Sequence, residues 1–178
     1  MTAFADREDA ARRLVPLVER FRSQDPIVLA LPRGGVPIGR VLARALDAPL
    51  DVLIVRKVGA PDQPELGMGA VAEGGARFLD PRMIGMVNAS NADVEQIARR
   101  ELAEVERRVA RYREGRELPS VQGRTVLLVD DGIATGGTVR AGIRALRSLG
   151  AGRVVVVSPV GAAETVEILR DEWFRYRS

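Results

Sequence analysis

The 178-residue sequence contains no cysteine and no histidine. Without cysteine there is no disulfide, no thiolate nucleophile and no zinc–thiolate centre. Without histidine the commonest general base and the commonest transition-metal ligand are both missing. Any metal the protein uses must then be a hard cation on oxygen, and Mg²⁺ carried in by a phosphate substrate is the natural choice. Lysine is nearly absent as well: Lys57 stands alone, and the other 26 of the 27 basic residues are arginines. They are balanced by 24 acids to a net charge of +3, and only seven aromatic residues occur. No basic stripe is interleaved with aromatics, so nucleic acid is not expected as a partner. No apolar run approaches the ~20 residues of a membrane span. The charged stretch from Met1 to Arg13 has no apolar segment of a secretory signal. With 46% apolar residues the chain is long enough for a real core. One cytoplasmic domain over residues 1–178, with no membrane partner, is expected.

What is present is concentrated between Val126 and Thr138. Val126-Leu-Leu-Val129 reads as a fully buried strand. Asp130 and Asp131 stand at its C-terminal end, and a short loop, Ala134-Thr-Gly-Gly-Thr138, opens a helix. Ligands of open α/β sheets bind beyond the carboxyl ends of the strands. A Gly-rich turn at a helix N-terminus offers unpaired N–H groups and a positive dipole end to a phosphate. The adjacent carboxylates suit the opposite task, accepting hydrogen bonds from hydroxyls. Donors for a phosphate and acceptors for a diol on one loop describe a sugar-phosphate site.

Strand, acidic pair and Ala-Thr-Gly-Gly-Thr loop resemble the phosphoribosyl-pyrophosphate (PRPP) signature of type I phosphoribosyltransferases. The resemblance implies that Asp130 and Asp131 hold the ribose 2′- and 3′-hydroxyls and touch Mg²⁺ indirectly, through PRPP. It implies that Ala134, Thr135, Gly136, Gly137 and Thr138 wrap the 5′-phosphate. Leu31-Pro-Arg-Gly-Gly35 ends the first core strand, where the family places a pyrophosphate loop, often with strained backbone. Glycines there let backbone N–H groups approach the anion, and Arg33 adds a bidentate fork beside Gly34 and Gly35. Val55-Arg-Lys-Val-Gly59 is similar to the Arg-Lys-x-Gly run that opens the flexible loop of the adenine branch. Arg56 and Lys57 would counter the leaving pyrophosphate. Ala134 also matches that branch, since hypoxanthine-type enzymes carry an acid at that position. The order of these runs, with Gly69-Ala-Val-Ala-Glu-Gly-Gly75 between them, is most similar to a bacterial branch of the family and covers Asp6 to about Val160.

The rest of the chain reads as βαβ units, which imply a parallel sheet with right-handed crossovers. A helix is expected over Asp6–Phe21, kinked or split at Pro16. Strands are expected over Ile27–Leu31, Asp51–Val55, Arg124–Val129 and Arg153–Val157. Helices are expected from Pro37 to about Leu46, over Asn91–Tyr112, over Gly136–Leu149 and over Thr165–Trp173. The fold class is α/β, a three-layer sandwich with a mostly parallel sheet and a flexible loop or hairpin over the site. That loop spans about residues 57–81, with a hairpin between Gly69–Ala72 and Ala76–Leu79. Residues 60–75 are expected to be mobile and to close over PRPP. The loop carries Glu73, a candidate for managing the acceptor's proton, and Glu65 as second candidate; solvated loop acids are the alternative. The family has a further strand near the C-terminal end, and no strand pattern follows Leu169 here.

Transfer of a phosphoribosyl group from PRPP to a nitrogenous base or related acceptor, with release of pyrophosphate, is the expected function, and a homodimer the expected assembly. The alternative is a regulator of the same fold that binds PRPP or a nucleotide without turnover. A P-loop NTPase lacks its G-x-x-x-x-G-K-[ST] motif here, and no G-x-G-x-x-G follows a strand.

Overall fold

The computed structural model describes residues 4–64 and 66–175. Its centre is a four-stranded parallel sheet of β1 (Ile27–Ala30), β2 (Leu50–Val52), β6 (Thr125–Val129) and β7 (Arg153–Val157), in the order β2-β1-β6-β7. Every residue of β1 and β6 is buried, as continuous apolar runs in a doubly covered parallel sheet should be. Helices α1 (Arg7–Val18) and α2 (Gly35–Leu46) cover one face. There Ala11, Val18, Ile38 and Leu42 meet Val28, Leu127 and Val129. Helix α5 (Gly137–Ser148) covers the other, setting Val139, Ile143 and Leu146 against Ile27, Leu29, Val126 and Leu128. Each such side chain, fully buried, contributes about 1.5–3 kcal/mol. The three layers are those expected from the βαβ pattern. Pro16 does not split α1, which runs through it and gives way to a 3₁₀ turn only at Glu19.

The segment after β2 departs from expectation. The apolar run predicts a single strand over Asp51–Val55; the chain instead leaves the parallel sheet after Val52. It begins a new antiparallel sheet of β3 (Val55–Gly59), β4 (Gly67–Ala72) and β5 (Arg77–Leu79), ordered β3-β4-β5. The hairpin between β4 and β5 agrees with the expected pairing. The extent of the loop does not. Met68, Ala70, Val71 and Ala72 are buried, so β4 is a core strand, and among the described residues the stretch between β3 and β4 that is left outside regular structure is 60–64 and 66. The cause is coverage on both faces. Ala70 and Ala72 pack on Ala141 and Ala145 of α5. Met68 and Val71 pack with Val94, Ala98 and Val105 of α4 (Asn91–Arg113). Helix α4 starts where Ser90 Oγ accepts the Asp93 N–H at 3.2 Å and stops at Glu114, with φ of 49°. A short α3 (Pro81–Met86) joins the hairpin to it, and α6 (Ala163–Arg175) follows β7. Among the described residues no helix is long and apolar enough to cross a membrane.

Candidate functional site

Parallel neighbours in register end on the same edge. β1 and β6 are aligned with Ala30 opposite Val129, so the loops that leave them emerge side by side. The Leu31 N–H donates to the Val129 carbonyl at 2.8 Å. A Cβ on Gly35 would collide with that same carbonyl, and one on Gly34 would fall inside the Asp131 carboxylate. Only glycines let the Arg33–Gly35 loop lie this close to β6 and the acidic pair. Arg33 itself is exposed, and the Pro32–Arg33 peptide bond is cis. The Gly35 N–H already donates to the Leu31 carbonyl at 3.0 Å. Gly35, expected to approach an anion, thus has its N–H engaged and serves the close approach of the loop to β6.

On the β6 side, Gly136 caps α5 with φ of 73°, and among the described residues no side chain caps the helix's first turn. The N–H groups of that turn, led by Gly137 and Thr138, are the donors an anion would use. Ala134 and Thr135 are exposed on the loop before them. The loop is strapped from behind. Ile133 N–H donates to Val160 at 3.0 Å, and Ala162 N–H donates to Ile133 at 2.9 Å. Thr165 Oγ of α6 donates to the Ala134 carbonyl at 2.6 Å, and a Cβ on Gly136 would meet the Thr165 methyl at 2.9 Å.

The two carboxylates have different surroundings. Asp130 is half-buried, and its Oδ1 accepts the Asp131 N–H at 2.9 Å. Burial first, then the neighbouring Asp131 charge, push its pKa up to about 6 against the hydrogen bonds that lower it. Asp131 is paired. Its Oδ2 accepts Arg7 Nε at 3.0 Å and Nη2 at 2.7 Å. Arg7 is 124 positions away, which is why the sequence reading missed it. One signal was there: a cation at the first position of a helix opposes the macrodipole, so something outside the helix must favour it. Among the described residues no group of three or more acids could hold a metal ion. Two carboxylates would leave most of the octahedral positions of a Mg²⁺ ion to oxygens from elsewhere.

The antiparallel sheet treats its expected site residues otherwise. Arg56 and Lys57 are neighbours on β3 and so face opposite ways. Arg56 shares its face with Ile54 and Val58, toward α4. There its Nε and Nη2 donate to Glu101 Oε2 at 3.0 and 2.8 Å. Arg100 takes the other oxygen of that buried carboxylate. Arg56, expected to meet the pyrophosphate, is thus paired with Glu101 in this structure. Lys57 pairs in register with Ala70 and shares the face packed on α5. Glu73 is no solvated loop acid either. It is 7% exposed and bonded at both oxygens. Oε2 accepts Arg113 Nη1, and Oε1 accepts Arg113 Nη2 at 3.0 Å and the Ile54 N–H at 3.1 Å. Its neighbour Gly74 lies toward Leu149, past the C-terminal end of α5, whereas the phosphate loop is at the N-terminal end. The geometry leaves Glu73 no proton-transfer task. Glu65 lies outside the described residues.

Residues 6–178 match the family model described as the phosphoribosyl transferase domain. A provisionally named phosphoribosyl transferase of Mycobacterium tuberculosis strain H37Rv, Rv0571c, is 42% identical over 166 residues, or 93% of this chain. The chain spans only 38% of that relative's length. The crystal structure of TT1426 from Thermus thermophilus superposes with a TM-score of 0.79 at 40% identity, covering 96% of this chain and 81% of that one. A hypoxanthine phosphoribosyltransferase of Staphylococcus aureus shares the fold, with a TM-score of 0.54 at 12% identity over 90% of this chain and 65% of that one.

Proposed function

The chain belongs to the phosphoribosyl transferase family, and on that premise we propose that it transfers a phosphoribosyl group from PRPP to a nitrogenous acceptor and releases pyrophosphate. The observation that carries the reading is the contact between the Arg33–Gly35 loop and the Asp130–Asp131 pair, beside the uncapped N-terminus of α5. One sugar bearing phosphates at C1 and C5 spans those three features. The 5′-phosphate takes the N–H groups of Gly137 and Thr138 and the Thr135–Thr138 loop. The ribose hydroxyls take Asp130 and Asp131. The pyrophosphate takes Arg33, Gly34 and Lys57. Mg²⁺ carried in by PRPP, met indirectly by Asp130 and Asp131, would supply charge neutralisation for the departing pyrophosphate.

An acceptor nitrogen then attacks C1 with its lone pair, the C1–O electron pair leaves with pyrophosphate, and the acceptor's N–H proton passes to water or to the departing pyrophosphate. The centre turns oxocarbenium-like on the way, as in glycosidases. Fixed donors and cations around the leaving group stabilise that state without reorganising. Glu73, committed to Arg113, has no part in the transfer.

The test is pyrophosphate release from PRPP and Mg²⁺ across a panel of purine and pyrimidine bases. Release with one base class supports transfer and names the acceptor. PRPP binding without release for any base gives a binding-only regulator instead. No binding of PRPP removes both.

A further inference from the structure

We propose that Arg7 is a donor-binding residue that changes partners, from the Asp131 carboxylate to the pyrophosphate of the bound donor. The proposal rests on the PRPP reading of the site. It begins with how Arg7 is held. Asp6 caps α1 by accepting the Asp9 N–H at 2.7 Å, and Asp9 in return accepts the Ala5 N–H at 3.1 Å. Ala10 and Ala11 are buried one turn on, with Ala11 packed against α2. The backbone at Arg7 is therefore fixed by its own helix start and by α2, while its side chain stays 58% exposed. A guanidinium at this position works against the helix dipole. Its compensation lies across the chain, at Asp131.

The place where Asp131 is held matters as much as the pairing. Its carboxyl carbon and both oxygens fill the space a side chain on Gly34 would need. A carboxylate thus lies on the loop to which the pyrophosphate is assigned. It does so with a cation attached, as a pyrophosphate would. Two anions cannot share that surface without a large Coulomb cost. When the donor enters, the Asp131 carboxylate must leave Gly34 for the ribose hydroxyls. Arg7, anchored by its helix, loses its single-oxygen partner beside an incoming anion of higher charge. A guanidinium fork suits phosphate oxygens at least as well as a carboxylate. The exchange keeps a cation neutralised before and after binding, and it places a fixed positive charge where the leaving group departs.

Titration calorimetry with Mg·pyrophosphate, ribose 5-phosphate and PRPP on the wild type, Arg7→Gln and Arg7→Lys tests it. Arg7→Gln is expected to weaken Mg·pyrophosphate and PRPP by about ten-fold or more. Ribose 5-phosphate, which has the diol and the 5′-phosphate but no pyrophosphate, should stay within about two-fold. Arg7→Lys, which keeps the charge and loses the fork, should fall between. Equal pyrophosphate affinity in wild type and Arg7→Gln overturns the proposal, because Arg7 then only holds Asp131. An equal loss for ribose 5-phosphate also overturns it, because Arg7 then acts on the whole site. If the wild type binds neither PRPP nor Mg·pyrophosphate, the transferase reading fails with it; wild-type binding with an unaffected Arg7→Gln removes Arg7 alone.

Discussion

In the antiparallel half, Arg113 is 3% exposed and donates to both oxygens of Glu73 and to the Val52 carbonyl at 2.8 Å. Glu101 likewise absorbs Arg56 and Arg100. In the parallel half, Asp130 is half-buried with a pKa near 6, Asp131 is held by an exposed arginine, and the first turn of α5 has no capping side chain. Both halves gather charge, but one closes its polar groups on each other, all but the buried Arg113 Nε, and the other leaves them open to something else. Closed networks specify how elements pack. Half-satisfied donors and perturbed acids at strand ends are where ligands bind. The difference separates scaffold from site inside one chain, even though glycines and charges are dense in both.

The largest effect should come from opening the closed half. Burying one member of an ion pair without the other costs about 3–5 kcal/mol, so Arg113→Ala or Glu73→Ala should lower urea stability by that order. Replacing both, as Arg113→Met with Glu73→Leu, should recover most of the loss, because two apolar groups carry no desolvation cost. PRPP affinity of the folded protein should stay near wild type in all three. A Glu73 variant of full stability that has lost turnover would break the comparison and return Glu73 to the site.

Next is the open half, probed at Asp131. Asp131→Asn keeps the shape and removes the charge that a ribose hydroxyl would meet. A charge-assisted hydrogen bond is worth roughly 1.5–3 kcal/mol, so PRPP affinity should fall about ten-fold or more. The urea midpoint should hardly move, since the Arg7 pair is surface-exposed and pairs of that kind contribute about 0–1 kcal/mol. The double change of Asp130 and Asp131 to Asn should weaken PRPP further and leave inorganic phosphate binding at Thr135–Thr138 intact. Wild-type PRPP affinity in the double variant, or its unfolding, would make the pair structural.

The same contrast explains what could be read in the sequence. β1, β6, β7, α2, α4 and α5 were legible because each is a local pattern: a buried apolar run or a helical stripe with its cap. The contact of the two glycine loops was legible because parallel strands put their C-terminal ends on one edge. The β2–β3 break was not, since an apolar run from Val52 to Val55 looks like one strand whether or not it changes sheets. Nor was the closure of Glu73 and Arg56, because Arg113 and Glu101 lie 40 and 45 positions away. Density of glycine and proline suggested a mobile segment over residues 60–75. Nothing local revealed that β4 would be covered by α4 and α5. Partners at long sequence separation decide whether a charge is scaffold or site, and a linear pattern does not carry them.

Asp130 gives a pH test of the open half. Its pKa is raised in the fold from an ordinary 3.8 to about 6, chiefly by burial. A raised carboxyl favours the folded state when protonated, so its contribution is fully present below pH 3.8 and is lost as pH rises through about 6. Binding runs the other way. If the ionised carboxylate accepts a ribose hydroxyl, PRPP affinity should rise as pH climbs through 6, losing up to about ten-fold per unit below it. Asp130→Asn should flatten both profiles between pH 4 and 7. Opposite slopes for stability and binding are the mark of a group held in an unfavourable state for a ligand. Parallel slopes would place Asp130 with the closed network.

The smallest effect belongs to the strap behind the phosphate loop, where the open half borrows one feature of the closed half. Thr165 Oγ donates to the Ala134 carbonyl at 2.6 Å, and its methyl faces Gly136. The bond fixes the residue before the loop while leaving the loop's own N–H groups unused. Thr165→Val keeps the methyl contact and removes the donor; Thr165→Ser keeps the donor and removes the methyl. A neutral hydrogen bond contributes about 0.5–1.5 kcal/mol, and the site is partly exposed, so Thr165→Val should cost stability at the lower end of that range. Its effect on inorganic phosphate affinity should be larger in proportion, about two- to five-fold, because a loosened Ala134 lets the donors of Gly137 and Thr138 drift from convergence. Thr165→Ser should restore phosphate affinity even if stability stays reduced. If Ser fails to restore it, the methyl against Gly136 positions the loop and the hydrogen bond is incidental. If neither change moves phosphate affinity, the strap belongs to the scaffold alone, and the boundary between closed and open halves runs between Thr165 and the loop it touches.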